Sequence, residues 1–262
     1  MMSISQIQDS LSIGAVYVVT ALMSLLAIEV GWRLGKYRQK QNKIREEGGI
    51  GVIVGATLGL LAFILAFIIG IGLDRFDERR LLVIDEANAI TTAWLRAGLL
   101  PEPMGSESRA LLQEYVDRRL ETVNPEQLYA ALERSEAIQA ELWRQAMAAA
   151  ETDHADMATF YIESLNELIN IHTGLMASVA GSRIPSVVWT SLYFISMLSM
   201  ILTGLQFSSD KRRNWPGVIL LMLVYAAVIT LIVDLDRPAD GLFSVSRQAL
   251  FDLQDKLRLI SP

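Results

Sequence analysis

The sequence predicts an all-α protein: four transmembrane helices, with a helical extramembrane domain inserted between the second and third spans. Three observations carry that prediction. Apolar runs occupy 11–32, 50–73, 184–207 and 216–235, each near the roughly 20 residues a helix needs to cross a bilayer core. Residues 52–72 hold no charged side chain. Between the two pairs of runs, 74–183 is polar and shows no alternating strand pattern. Inside lipid every backbone amide and carbonyl must be paired within its own segment, so such runs are read as helices.

Four regions follow from this division. Residues 1–73 form a first transmembrane pair around a basic loop, 33–49. Residues 74–183 form the helical extramembrane domain, and 184–235 a second transmembrane pair around a second basic loop, 208–215. Residues 236–262 are a C-terminal tail with a short amphipathic helix.

The first run is read as a retained span. Met1–Ser10 has no Lys or Arg and so lacks the basic start of a signal peptide. Orientation comes from the loops. Arg33, Lys36, Arg38, Lys40, Lys43 and Arg45 fill one, and Lys211, Arg212 and Arg213 the other. The positive-inside rule puts both loops in the cytoplasm of a bacterial inner (plasma) membrane and the helical domain in the periplasm. Trp32 and Trp215 then fall at the cytoplasmic interface and Trp189 at the opposite one. Glu29 is the acid well inside a span, where a charge is costly. Snorkelling towards the interface, or neutralisation by Arg33 or Lys36, would relieve it.

The second span runs on into water without a Gly or Pro break from Asp74 until Gly98, so one helix is expected to leave the membrane and continue. Pro101-Glu102-Pro103 ends it, because each proline removes an amide donor and restricts the residue before it. Ser106 is expected to cap the next helix, to about Val123. Asn124-Pro125-Glu126 restarts one to about Ala150. Another, from about His154 to Ala180, carries the apolar set Phe160, Tyr161, Leu165, Leu168, Ile169, Leu175 and Met176. The tail helix, about Ser246 to Leu259, places Leu250, Leu253, Leu257 and Ile260 on one stripe, expected to pack on the helical insert rather than on lipid.

Composition narrows the chemistry. The chain is 52% hydrophobic, carries a formal charge of −6 and has no cysteine. A disulfide, a thiolate nucleophile and a zinc–thiolate site are thereby excluded. The acidic balance argues against nucleic acid as a partner, since phosphate-backbone binding needs basic surface. His154 and His172 are too far apart for metal ligands on one helix turn, and no nucleophile elbow or phosphate loop occurs. No enzyme activity, cofactor or metal is therefore expected. Gly51, Gly55 and Gly59, spaced by four, read as a close helix-packing stripe.

The second span has a two-part face. At about 100° per residue, Val52, Ala56, Gly59, Phe63, Phe67 and Gly70 lie within about 40° of one line. Asp74, Asp77, Glu78, Leu81, Asp85 and Asn88 continue that face beyond the membrane. Arg75, Arg79 and Arg80 lie about 100° or more away from it. One reading is a pore-lining helix, with a constriction at Gly59, Phe63, Phe67 and Gly70 and an acidic mouth at Asp74, Asp77, Glu78 and Asp85. Acidic rings favour cations, and apolar constrictions gate by dewetting. The other reading is an apolar stripe against lipid or helices, followed by a solvated acidic face.

Several segments together resemble the bestrophin-like membrane proteins, a bacterial family of uncharacterised function. They are Gly59 to Phe67 through Asp74-Arg75-Phe76, then Asp85-Glu86-Ala87-Asn88, Leu95-Arg96 and Leu100-Pro101-Glu102-Pro103. Arg109 to Leu112, Tyr115-Val116-Asp117, Leu235-Asp236-Arg237-Pro238, Gly241 and Ser244-Val245-Ser246 complete the set. More distantly the layout is similar to the bestrophin channels, pentamers with four spans per subunit whose second span lines the pore behind a neck of bulky apolar residues four apart. That resemblance implies a homo-oligomer in the lipid bilayer with inorganic ions as permeants. Phe63 and Phe67 fit the neck spacing, and Arg75 fits an arginine beyond it. Gly59 departs from the neck pattern in lacking bulk, and Asp234, Asp236 and Asp240 are not a clear counterpart of the family's calcium clasp. Bestrophins keep their helical domain in the cytoplasm, whereas the loop charges here place it on the other side. The alternative function is a non-conducting, membrane-anchored sensor or scaffold that binds a partner through the extramembrane domain.

Overall fold

The computed structural model describes residues 11–41, 49–121, 125–152, 155–181, 184–208, 215–237 and 246–260. Eight α-helices and no strand occur among them: α1 Ile13–Gln41, α2 Gly49–Ala97, α3 Met104–Leu120, α4 Pro125–Ala150, α5 Ala155–Gly181, α6 Ser186–Phe207, α7 Trp215–Asp236 and α8 Gln248–Ile260. Four of these, α1, α2, α6 and α7, are long and apolar enough to cross a membrane. Lys43, Arg45, Lys211, Arg212 and Arg213 of the basic loops lie outside the described residues, as do Asn124, His154, Pro238, Asp240, Gly241 and Ser244.

The chain divides into two units, residues 1–76 with 183–244 and residues 77–182 with 245–262. In the first unit α1 packs against α6 and α7. Glycine makes the α1–α6 contact close. A Cβ on Gly31 would run into the Ile201 carbonyl, one on Gly35 into the Ser208 hydroxyl, and one on Gly204 into the Ile28 carbonyl. Small residues allow such backbone approach where lipid gives no hydrophobic reason for helices to associate. The hydroxyls of Ser196, Ser199 and Thr203 bond back to the carbonyls of Leu192, Ile195 and Ser199 at 2.6, 2.9 and 2.8 Å. That satisfies them without water. Beneath them Ile28, Trp189, Leu192, Met200, Ile229 and Val233 form the apolar interior.

Among the described residues, no neighbouring helix backbone packs on the Gly51–Gly55–Gly59 stripe. A Cβ on Gly55 or Gly59 would meet nothing within 4 Å, and one on Gly51 would meet only the Gln206 side chain at 3.3 Å. The glycines that admit a neighbouring backbone are instead Gly31 and Gly204, because those are the ones facing another helix axis. Trp189, expected at the interface opposite Trp32, faces the helix interior of this unit. It is fully buried, stacked on Tyr193 with ring centroids 5.8 Å apart.

The second unit is a helical bundle. Ile90, Leu112, Ile138, Leu142, Leu165 and Leu168 are completely or almost completely buried in its core. The α8 stripe Leu250, Leu253 and Leu257 joins that core, and α8 lies on α3. Gln254 Nε2 donates to Asp117 Oδ1 at 2.5 Å and Arg258 stands 3.8 Å from the same carboxylate. Phe160, expected among the apolar set of α5, is 49% exposed. Ser106 is not an N-cap. Helix α3 starts earlier, at Met104, with Pro103 in the cap position. Ser106 is already helical, and its hydroxyl, with one proton to give, lies 2.6 Å from Glu102 Oε2 and 2.9 Å from the Pro103 carbonyl. The reason is local: the Pro101 carbonyl accepts the Gly105 amide at 3.2 Å, which closes a turn ahead of the serine. Gly105 also tolerates the Ala97 and Leu100 carbonyls at about the distance of direct contact, 2.9 and 3.1 Å from where a Cβ would sit.

Candidate functional site

Helix α2 has one covered side and one open side. In the first unit Val54, Leu61, Leu65 and Ile68 are buried and Gly72 sits against Leu235. In the second unit Val83, Ala87, Ile90, Ala93, Trp94 and Ala97 are buried. Within each unit the spacing of three and four keeps these residues on one face, as a helix dictates.

The residues proposed for a pore face all lie off that covered side. Phe63 is 70% and Phe67 66% exposed in the single chain. Gly59 is exposed and Gly70 half-buried, and a Cβ on either would meet nothing within 4 Å. Asp74 is exposed in the first unit, and Asp77, Glu78, Asp85 and Asn88 in the second. No described ion pair joins any of the four acids to a basic side chain of the chain. Glu29, by contrast, is neutralised within α1, where Arg33 Nε donates to its Oε1 at 2.8 Å.

The remaining motif residues hold the structure together. Asp236 ends α7 buried, where its carboxylate accepts the Ile184 amide at 2.8 Å and the Trp189 indole N–H at 3.4 Å. Arg75 stands 3.9 Å from it. The aspartate thus ties the entry of α6 and a turn of α2 to the end of α7. Arg237 Nη2 donates to the Leu11 carbonyl at 2.6 Å. In the second unit Arg96 donates to the Phe160 carbonyl at 2.6 Å and covers the Phe160 ring, 6.0 Å from its centroid. Pro101 and Pro103 shape the α2–α3 turn described above, and Pro238 is outside the described residues.

A polar cluster in the second unit escaped the sequence reading. Glu86 is fully buried on the covered side of α2. Arg119 grips it with two prongs, Nε to Oε1 at 3.0 Å and Nη2 to Oε2 at 3.1 Å. The Tyr115 hydroxyl donates to Glu86 Oε1 at 2.8 Å and lies 2.8 Å from His172 Nδ1, with Gln139 Nε2 at 3.5 Å. With the tyrosine O–H directed at Glu86, the tyrosine oxygen is left to accept, and the His172 tautomer that fits this contact carries its proton on Nδ1. Burial alone would raise the Glu86 carboxyl, but the contacts from His172, Arg119 and Tyr115 outweigh it and hold it below the usual carboxylate value. Burial, then the Glu86 charge, push the Tyr115 phenol well above its usual value. The signal in the sequence was the motif Asp85-Glu86-Ala87-Asn88 itself, in which Asp85 faces out and Glu86 faces in.

Comparison with known proteins follows the same lines. A Bestrophin-like domain matches across residues 21–250. Two crystal structures of a bacterial bestrophin homologue from Klebsiella pneumoniae, one of them a point variant, are similar in fold. Both have a TM-score of 0.68 at 16% identity and are matched over 94% of this chain. The variant is covered over 99% of its own length and the other over 97%. No match is found among the curated proteins.

Proposed function

The chain belongs to the Bestrophin-like family, and we propose that it is a subunit of an oligomeric, pentameric ion channel or pore in which α2 lines the conduction path and cations are preferred. One observation carries this reading. The face of α2 that holds Gly59, Phe63 and Phe67 is left open by the chain's own three other apolar helices, with Phe63 70% and Phe67 66% exposed. A membrane-anchored scaffold would have used those spans to cover its bulkiest aromatic stripe. A channel subunit leaves it for a symmetry axis. The fold relatives, structures of a bacterial bestrophin homologue, support the same reading.

In this reading Phe63 and Phe67 form the apolar constriction, and the open Cβ positions of Gly59 and Gly70 keep the path wider on either side. Asp74, Asp77, Glu78 and Asp85 supply an anionic mouth that concentrates cations and repels anions. The membrane is the bacterial inner membrane, with the short basic loops cytoplasmic and the helical domain periplasmic. The partners are lipid, further copies of the chain and inorganic ions. The reading assigns no catalytic residue.

The test uses the full-length protein in mild detergent and in planar bilayers. The expected outcome is a stable oligomer with a resolvable conductance and reversal potentials on the cation side. Asp74→Asn with Glu78→Gln should lower the preference for cations over anions. A monomeric sample without conductance would overturn the proposal, and unchanged reversal potentials in the double variant would remove the acidic mouth from it.

A further inference from the structure

The two flanks of the open α2 face differ in charge. At about 100° per residue Glu78 lies about 60° to one side of the Phe63 line and Arg80 about 100° to the other. Both side chains are exposed, and neither forms an ion pair among the described residues. The neighbouring arginines are used within the chain: Arg75 approaches Asp236 at 3.9 Å and Arg79 is 5% exposed. Arg80 is therefore an outward cation beside a run of outward acids. Glu78 and Arg80 are two residues apart, about 3 Å of helix rise, and face away from each other, so they cannot pair within one helix.

In the first unit the same flanks differ in bulk. On the Glu78 side lie Ile53 and Leu60, 54% and 56% exposed. On the Arg80 side lie Gly55, Gly59, Ala62 and Ala66, all exposed, followed nearer the second unit by Leu73, 48% exposed. Among the described residues, nothing lies within 4 Å of where a Cβ on Gly55 or Gly59 would sit. From Ile53 to Ala66 one flank carries the larger side chains and the other the smaller, and beyond the first unit one carries a carboxylate and the other a guanidinium.

We infer that in the assembled protein α2 of each copy packs against α2 of the next through unlike flanks, with Glu78 of one copy paired to Arg80 of its neighbour. This rests on the oligomeric reading above and names the contact that builds it. Joining unlike patches is a heterologous contact, which closes into a ring when the rotation allows. A like-with-like contact would oppose either Arg80 to Arg80 or, with the larger side chains against each other, Glu78 to Glu78.

The chain has no cysteine, so single cysteines report without background. Full-length Glu78→Cys carrying a mass tag is co-expressed with untagged Arg80→Cys, purified in mild detergent and treated with a short bismaleimide. The expected result is a tagged–untagged crosslinked dimer, with no crosslink from either variant alone. In parallel, Glu78→Arg or Arg80→Glu alone should lose oligomer to monomer, and the two reversals together should restore it. Oligomer without the mixed crosslink, or a crosslink from Arg80→Cys alone, overturns the inference while leaving the oligomeric reading standing. A wild-type protein that runs as a monomer overturns both.

Discussion

Replacing Glu86 by glutamine isolates the energetic role of the buried cluster. The change keeps the size of the side chain and removes its charge. Arg119 then retains a guanidinium whose side chain is only 15% exposed, with no carboxylate opposite it. Breaking a buried pair by removing one partner costs about 3–5 kcal/mol. The remaining solvent contact of Arg119 places this case near the lower end, about 3 kcal/mol. For a domain of this size that is a fall of roughly 10 °C in the unfolding midpoint. The assay is near-ultraviolet circular dichroism of the purified protein, heated at one fixed scan rate. A companion variant, Glu86→Leu with Arg119→Met, removes both charges and should recover most of the loss, since an apolar pair of similar volume often matches a buried ion pair. A midpoint shift below about 2 °C for Glu86→Gln alone would refute the claim that the pair is held out of water.

Further outcomes follow from the same geometry. Because the folded Glu86 carboxyl is held below its ordinary value of 4.5, the folded state binds fewer protons there than the unfolded one. Its contribution is complete above about pH 4.5 and is lost as pH falls through the lower, folded value. Wild type should therefore lose stability on acidification in that window more steeply than Glu86→Gln, as a pH series of unfolding midpoints would show. Gly204→Ala should cripple the first unit, because the new Cβ would strike the Ile28 carbonyl. Gly59→Ala has free space in the single chain and should leave the yield of folded protein unchanged; comparing yields in detergent checks both. Phe63→Ala together with Phe67→Ala should raise single-channel conductance in planar bilayers, and an unaltered conductance would take the rings out of the path.

Much of this architecture was legible in the residues themselves. The bilayer demands about 20 apolar residues in a self-satisfied helix, so the four spans are written as uninterrupted runs. Helical period likewise placed Gly59, Phe63, Phe67 and the acids from Asp74 to Asp85 on one side of α2. What period does not say is whether another helix covers that side. Phe63 and Leu65 are both apolar and two positions apart, yet one is 70% and the other 8% exposed. Only the packing of α1, α6 and α7 decides between them. The same holds for glycine. Gly59 and Gly204 read alike in sequence, but the first has open space beside it and the second has the α1 backbone. Glu86 and Asp85 are adjacent acids, and a rotation of about 100° puts one in water and the other against Arg119, Tyr115 and His172. Local periodicity sets which residues share a face. Contacts between helices distant in sequence determine what that face meets, and those distances exist only once the chain is folded.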